Sequence, residues 1–587
     1  MNLESKLRKL VKIENVTFEL KDNIVFINGT VKDYNEWIEI GLNIGSLKEV
    51  EGVVNNVVWN KNQNSLDKKR NDQRLKIYNS QKNKNAGNYD IIIIGAGVIG
   101  CFIARELSKY RNSILVLEKG SDVCLGASRA NNGMIHPGIS PSFDTLKRKL
   151  NIRGNTLYDK ICSELDVPFK RVGSLILITS KTFEKYKKKM PGFLYRFVLK
   201  KIIPILAKRK GRKNGVKDIE IIKGDKIFEL EPWATKEALL ALYIPSTGIL
   251  DPYELTIALS ENALENGVNI QLKTEVVGFN KEREKITGVV TSKGTFNCKL
   301  VINAAGVFSD EIADLAGSKE FTIHPRKGVE ILFNKNVKPG VNHCTAELII
   351  PTPKTSKGGG VNPAIHGNII WGPTAIEIPS KTDKTVTREE INLMLERYSS
   401  VLNKDFPKEK MIRYFAGVRA PTFTEDFIIR PAKWVENLIH VAGIQSPGLA
   451  SAPAIAEYVL ELVQNKGFCK LKNSNFKSKR KGIPTVADMN LDELQKRIEE
   501  NSSWGNIICT CEMISEAEIV EAINRGAQSI DAIKRRTRAG MGSCQLSYCR
   551  LKIANILSRE LKIPLNQIIK ESSDSTLYDG IVRGEKL

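Results

Sequence analysis

The chain has 587 residues, 42% of them hydrophobic, which is enough for several packed cores and excludes a disordered polyelectrolyte. Its formal charge of +23 would suit nucleic acid or an anionic membrane, but the excess is spread along the chain without a recognition motif, so no nucleic-acid partner is expected. Ten cysteines, six scattered and four clustered, are not a secreted disulfide framework. No apolar secretory core or span of roughly 18 uncharged apolar residues occurs, and a soluble cytosolic protein is expected.

Residues 13–59 read as strand, strand, helix, strand: VTFEL, NIVFING, YNEWIEIGLNIGSLKEV and VEGVVNNVVW. This small α+β module, residues 1–59, resembles a BON domain, with a Gly52-Val53 step into its last strand. Residues 60–88 are polar, charged and poor in core formers, and read as a flexible linker. From residue 89 to 466 the texture is a long α/β alternation. A second basic linker, 467–484, precedes a C-terminal module at 485–587.

DIIIIGAGVIGCFIARELSKYRNSILVLEKG, from Asp90, reads as buried strand, glycine turn, helix, second strand and terminal acid. Gly95 permits the tight turn, Gly97 lets backbone approach a pyrophosphate, and Gly100 lets the helix pack closely on the strand. The helix N-terminus then offers free N–H groups to phosphate. Glu118, 21 residues after Gly97, is placed to bond a ribose. A bound adenine dinucleotide follows, and the single fingerprint argues against a separate NAD site.

Three further segments carry small-residue turns. They are GASRANNGMIHPG (126–138), CKLVINAAGVFSDEIADLAG (298–317) and IHVAGIQSPGLASAPAIAEYVLELV (439–463). A helix starting at Gly448-Leu449 would aim N–H donors at an anion. Together with the fingerprint these resemble the D-amino-acid-oxidase superfamily of FAD-dependent dehydrogenases, over about residues 89–570, nearest its glycerol-3-phosphate and L-2-hydroxyglutarate dehydrogenase branches. The resemblance implies a Rossmann-like α/β FAD-binding domain from about 89–172, 248–321 and 413–466. A mainly antiparallel α+β substrate domain is inserted at about 173–247 and 322–412. It implies FAD contacts from Gly95, Gly97, Gly100, Glu118, Lys119, Ser128, Asn132, Gly133, Val276, Ala305, Gly306, Gly443, Gly448 and Leu449.

In the C-terminal module Cys509 and Cys511 form C-x-C, 32 residues intervene, and Cys544 and Cys549 form C-x4-C. Four thiolates from two turns match the ligand count of a [2Fe–2S] cluster. Zinc is the rival, although structural zinc more often spaces paired ligands by two or more residues. The module resembles the small helical bacterioferritin-associated-ferredoxin-like [2Fe–2S] domain. C-x4-C departs from the C-x2-C of stand-alone members and favours electron transfer over iron storage. Hydride enters a flavin in pairs of electrons, and a cluster passes them singly to an acceptor protein or second subunit.

Three residues are candidates to meet a small anionic hydroxy substrate. Arg419, in YFAGVRAPTF, resembles the family arginine that clamps a carboxylate or phosphate. Arg326, in IHPRKGVEILF, resembles the family's Arg-x-Gly element. His136, at the end of the Asn-rich loop, is a candidate base or cofactor contact. sn-Glycerol 3-phosphate is the leading substrate by resemblance, ahead of a 2-hydroxy acid or amino acid; a pure electron-transfer subunit is the competing class. GFLYRFVLKKIIPILAKRKGRK, 192–213, is apolar and basic; it reads as a core helix with a basic face, interrupted by Pro204, with peripheral membrane docking as the alternative.

Overall fold

The structure, a computed structural model, describes residues 3, 6, 7, 15–59, 61–350, 359–572 and 574–578. The rest of the first fourteen residues and the last nine, which the expected end modules include, lie outside the described residues.

The N-terminal module has the expected element order. Strands Val16–Lys21 and Ile24–Gly29 pair antiparallel, and Gly52–Asn55 joins the second in parallel. Helix Tyr34–Gly45, capped by Asp33, lays Trp37, Ile38, Ile40 and Ile44 on this sheet. The module is fastened to the body. A Cβ at Gly41 would come within 2.3 Å of the Phe423 ring, and one at Gly45 within 2.1 Å of the Phe423 carbonyl.

The expected linker 60–88 is corrected. Lys61–Gln81 is a helix, and the next strand already begins at Asn85. Its Lys, Arg and Gln content favours helix even though apolar residues are few. Tertiary anchors then hold it: Arg74 pairs with Glu311 at 3.0 Å and Glu275 at 3.3 Å, and the Tyr78 ring fills the space over Gly278.

The central sheet places Asn269–Gln271, Ile114–Leu117, Asn85–Ile94, Gly294–Asn303 and Leu438–Ala442 side by side in parallel. Ile91–Ile94 are buried because both faces of the sheet are covered: Ile91 and Ile93 share one core with helices Val98–Leu107, Pro252–Glu265 and Gly448–Asn465, and Ile92 and Ile94 share another with Phe279, Val289 and Ile312. Over the carboxyl ends of these strands lies a nine-stranded sheet, antiparallel except where Cys344–Glu347 meets Ser174–Ile178. Its strands Arg326–Phe333 and Met411–Arg419 pair with Arg326 opposite Arg419 and Gly328 opposite Gly417.

The segment 192–213 departs from the core-helix expectation. It winds without a break through Gly192–Phe197, a π-helical turn Val198–Ile202 and Ile203–Lys213, because Pro204 stands in the first turn of the last piece and the π-helical turn absorbs the change of register.

The C-terminal module is small and mainly helical, with its own core around Ile519, Ile533, Ile553 and Leu557. Residues 467–484 are irregular but pinned, with Arg480 on Glu261 at 2.6 Å. The module itself is held to the dinucleotide domain by Asp122, 2% exposed, which takes Arg536 at 2.8 Å and Arg535 at 3.4 Å.

Candidate functional site

A cavity of about 1020 Å³ runs from the glycine turn after Ile94, past Glu118, to the inner surface of the antiparallel sheet. At its first end the backbone is shaped for close approach. Gly95 has φ of +106°, and a Cβ there would meet the Ala304 carbonyl at 2.6 Å. A Cβ on Gly100 would fall 1.9 Å from the Gly95 carbonyl, so this glycine sets helix-to-turn contact rather than lining the cavity. Helix Val98–Leu107 starts at the cavity, where the Val98 N–H donates to Ser128 Oγ at 2.9 Å. Glu118 accepts from the Ala96 and Gly120 N–H groups at 2.9 and 2.7 Å; burial pushes its carboxyl up, and those two bonds pull it back.

Gly97, Lys119, Ser128, Asn132, Val276, Ala305, Gly306, Gly448 and Leu449 line the same cavity. Lys119 Nζ lies 3.2 Å over the Phe308 ring. Gly133 and Gly443 stand behind the wall. Both have positive φ, and a Cβ on Gly133 would fall 2.0 Å from the Leu250 carbonyl. The donors and glycines thus fit a pyrophosphate at one end, while helix Gly448–Asn465 begins at the other with no side-chain cap, its Gly448 N–H donating to the Gln445 carbonyl at 2.6 Å.

His136 lines the far half of the cavity. Its carbonyl accepts from Asn151 and Asn155 side chains at 2.9 and 3.0 Å, which fixes the loop. Removal from bulk water lowers the imidazole to about 4, so it is neutral at physiological pH. Arg419 also lines the cavity. Its Nη1 donates to the Thr374 carbonyl at 2.9 Å, and its fork lies across Gly328, whose missing Cβ would sit 2.4 Å from Nη2.

Arg326 does not join them. It lies outside the cavity lining, 5% exposed, with Nε on Glu377 at 2.5 Å, Nη2 on Glu425 at 2.6 Å and Nη1 on Gln445 at 3.0 Å. A guanidinium already held by two carboxylates has little left for a substrate, and the role expected for Arg326 is corrected to bracing. The glycine of the same element is what the cavity uses.

Two lining residues escaped the sequence reading. Glu330, 2% exposed, leaves Oε2 without a partner, and burial raises its carboxyl to about 8 against the pull of Arg419. Asn362, 3% exposed, leaves Nδ2 without one. Both face the cavity. The signal for Glu330 was present: an acid inside the apolar run GVEILF, on the same strand face as Gly328.

In the C-terminal module the four cysteines come together, all as free thiols. Cys509 meets Cys549 and Cys511 meets Cys544. The bond from Cys549, helped by the Gly540 N–H at 3.4 Å, lowers the Cys509 thiol to about 6. A tetrahedral zinc would draw four sulfurs to within about 3.8 Å of one another. Among the described residues the trio of metal-capable donors that close together is instead Asp251, Glu254 and His366. The thiols stand as two pairs, which fits a two-iron cluster. The trio's donors are already engaged, since Asp251 caps helix Pro252–Glu265 and Glu254 holds His366 at 3.1 Å.

This is the architecture of a flavin-dependent oxidoreductase with an electron-carrying appendage, and comparison with known proteins agrees. The chain matches the FAD dependent oxidoreductase family over residues 90–462 and the BFD-like [2Fe-2S] binding domain over 507–559, and it belongs to that oxidoreductase family. It is 40% identical over 500 residues to a glycerol 3-phosphate dehydrogenase of Caloramator mitchellensis, covering 85% of this chain and 99% of that one. It is 24% identical to the anaerobic glycerol-3-phosphate dehydrogenase subunit A1 of Haloferax volcanii, over 84% and 86% of the two chains. The dithionite-reduced, FAD-bound L-alpha-glycerophosphate oxidase of Mycoplasma pneumoniae superposes with a TM-score of 0.59 at 28% identity, covering 67% of this chain and 98% of that one. The cofactors are FAD and a [2Fe–2S] cluster.

Proposed function

We propose that the protein oxidises sn-glycerol 3-phosphate to dihydroxyacetone phosphate. The observation that carries this is the pairing, in one cavity, of a neutral His136 with the Arg419 fork and the unpartnered polar atoms of Glu330 and Asn362. Arg419 binds the anionic end of the substrate. The unprotonated ring nitrogen of His136 takes the hydroxyl proton as the carbinol C–H is oxidised. Glu330, protonated near neutrality, and Asn362 offer donors to the remaining hydroxyls. The antiparallel sheet above them excludes water. Bound FAD supplies a two-electron acceptor for the carbinol hydrogen, and the cluster supplies one-electron exit.

The acceptor is proposed to be a protein or second subunit that meets the C-terminal module. The N-terminal module, BON-like in its element order, is proposed to brace the 422–426 turn through Phe423. A peripheral position at a membrane face belongs to the same proposal; no helix of the described residues is long and apolar enough to cross a bilayer. A cavity with this many unspent polar groups does not suit a flavin that merely relays charge.

Anaerobic stopped-flow mixing with glycerol 3-phosphate, L-2-hydroxyglutarate and amino acids tests the substrate. Rapid flavin bleaching by glycerol 3-phosphate alone is expected. Bleaching by L-2-hydroxyglutarate and not by glycerol 3-phosphate overturns the assignment.

A further inference from the structure

The helical run 192–213 turns its apolar side chains the wrong way for a core helix. Tyr195, Leu199 and Ile203, four residues apart, are buried against Ile178 and Leu240. Phe193, Leu194, Phe197, Ile202, Ile205 and Leu206 are between 40% and 78% exposed. Six large apolar side chains in solvent on one element exceed the scattered exposure of an ordinary surface. Between residues 187 and 213 there are eleven Lys and Arg and no Asp or Glu. Over the whole chain the charge is mixed, 89 basic to 66 acidic residues.

We infer that this helix is an interfacial docking element for an anionic lipid bilayer. The inference rests on the peripheral membrane position proposed above and names its surface and its lipid. An apolar stripe flanked only by cations is the pattern of a helix lying in the headgroup plane. The stripe enters the acyl boundary and the Lys and Arg side chains reach the phosphates. A protein partner with an apolar groove would need acidic rims on both sides to match the same element; an anionic bilayer offers both features everywhere. The helix is also joined to the substrate cavity. A Cβ on Gly211 would meet Ile219 at 2.2 Å and Ile139 at 3.3 Å, and Asn214 Nδ2 donates to the carbonyls of Ile139 at 2.9 Å and Pro141 at 3.1 Å. Ile139 and Pro141 line the cavity beside His136. A docked helix therefore holds this wall of the cavity at the lipid surface.

The test is flotation of the full-length holoprotein with vesicles of phosphatidylcholine alone or of equal parts phosphatidylcholine and phosphatidylglycerol, at low and high salt. The parent should float with the anionic vesicles, and lose about tenfold or more of its partitioning on neutral vesicles or in high salt. The triple variant Phe193→Glu, Phe197→Glu, Ile205→Glu should lose at least as much, while its flavin is bleached by glycerol 3-phosphate at the parental rate without vesicles. Should the triple variant misfold, Phe197→Trp keeps the test open: its emission should shift to the blue on anionic vesicles only. Failure of the parent to float, parental flotation of the triple variant, an unshifted tryptophan, or a sedimenting dimer that the triple variant dissociates would each overturn the inference. Flotation without bleaching would instead count against the substrate assignment and leave the docking element standing.

Discussion

Gly328→Ala should disable the substrate site without touching either cofactor. The added Cβ would stand 2.4 Å from Arg419 Nη2 and 2.8 Å from its Cζ, distances no real Cβ tolerates. The obstructed atoms are the far end of a flexible side chain, so the strand survives and the guanidinium moves. In moving it gives up the Thr374 carbonyl, a charge-assisted bond of about 1.5–3 kcal/mol, and its proposed place opposite the substrate anion. Losing one partner of a buried charged contact costs about 2–5 kcal/mol, or about 30- to 5,000-fold in kcat/KM. Displacement is milder than deletion, so a loss of about a hundredfold is expected, with flavin content unchanged. Arg419→Met should lie at the upper end of the range. In that background Gly328→Ala should cost less than about threefold, because no fork remains to displace. The assay is the rate of anaerobic flavin reduction across substrate concentration for the parent, both single variants and the double. A Gly328→Ala enzyme within about threefold of the parent, or full additivity in the double variant, would refute the reasoning.

Asp122→Asn leaves Arg536 buried without its ion-pair partner and Arg535 with Glu571 alone, at 2.9 Å, a loss of about 3–5 kcal/mol at the seam between the modules. Flavin reduction should persist while electron delivery to a one-electron acceptor falls and proteolysis within 467–484 accelerates; unchanged delivery would contradict the seam's role. Glu330 holds its proton to about pH 8 when folded but releases it near 4.5 when unfolded, so its burial costs stability increasingly as pH rises through that window. Glu330→Gln should therefore gain on the parent by up to about 3–4 kcal/mol between pH 5 and 8 in denaturant melts, and a pH-independent difference would count against a buried neutral acid. His136, lowered to about 4, is an unprotonated base above that value, so the acid limb of flavin reduction should lie near pH 4; a limb near 6.5 would place the ring in water or dismiss it as the base.

The chemistry-bearing segments were the most legible, because each is local. A strand, a glycine turn and an acid within 31 residues report a dinucleotide site by spacing alone, and four cysteines in two short turns report a cluster. What could not be read was set by partners distant in sequence. The helix Lys61–Gln81 has almost no apolar stripe and owes its place to Glu275 and Glu311. Arg326 has the residue type of a substrate clamp, but Glu377 and Glu425, about 50 and 100 positions away, occupy it. Asn362 carried no signal, its importance arising only where the sheet turns it into the cavity. Helix 192–213 was ambiguous, since a buried and an interfacial helix share a composition and differ only in which face the fold leaves open.

In the proposed reaction paired electrons enter at one cavity and leave singly through four cysteines of the same chain. Anaerobic titration of the purified protein with glycerol 3-phosphate, followed by visible absorption and low-temperature electron paramagnetic resonance, addresses it most directly. Loss of the oxidised flavin bands is expected together with the paramagnetic signal of a reduced [2Fe–2S] cluster, the signal vanishing in Cys509→Ser protein that still bleaches. Protein that binds flavin and iron but whose bands and resonance stay unmoved by glycerol 3-phosphate, while dithionite reduces both, would contradict it.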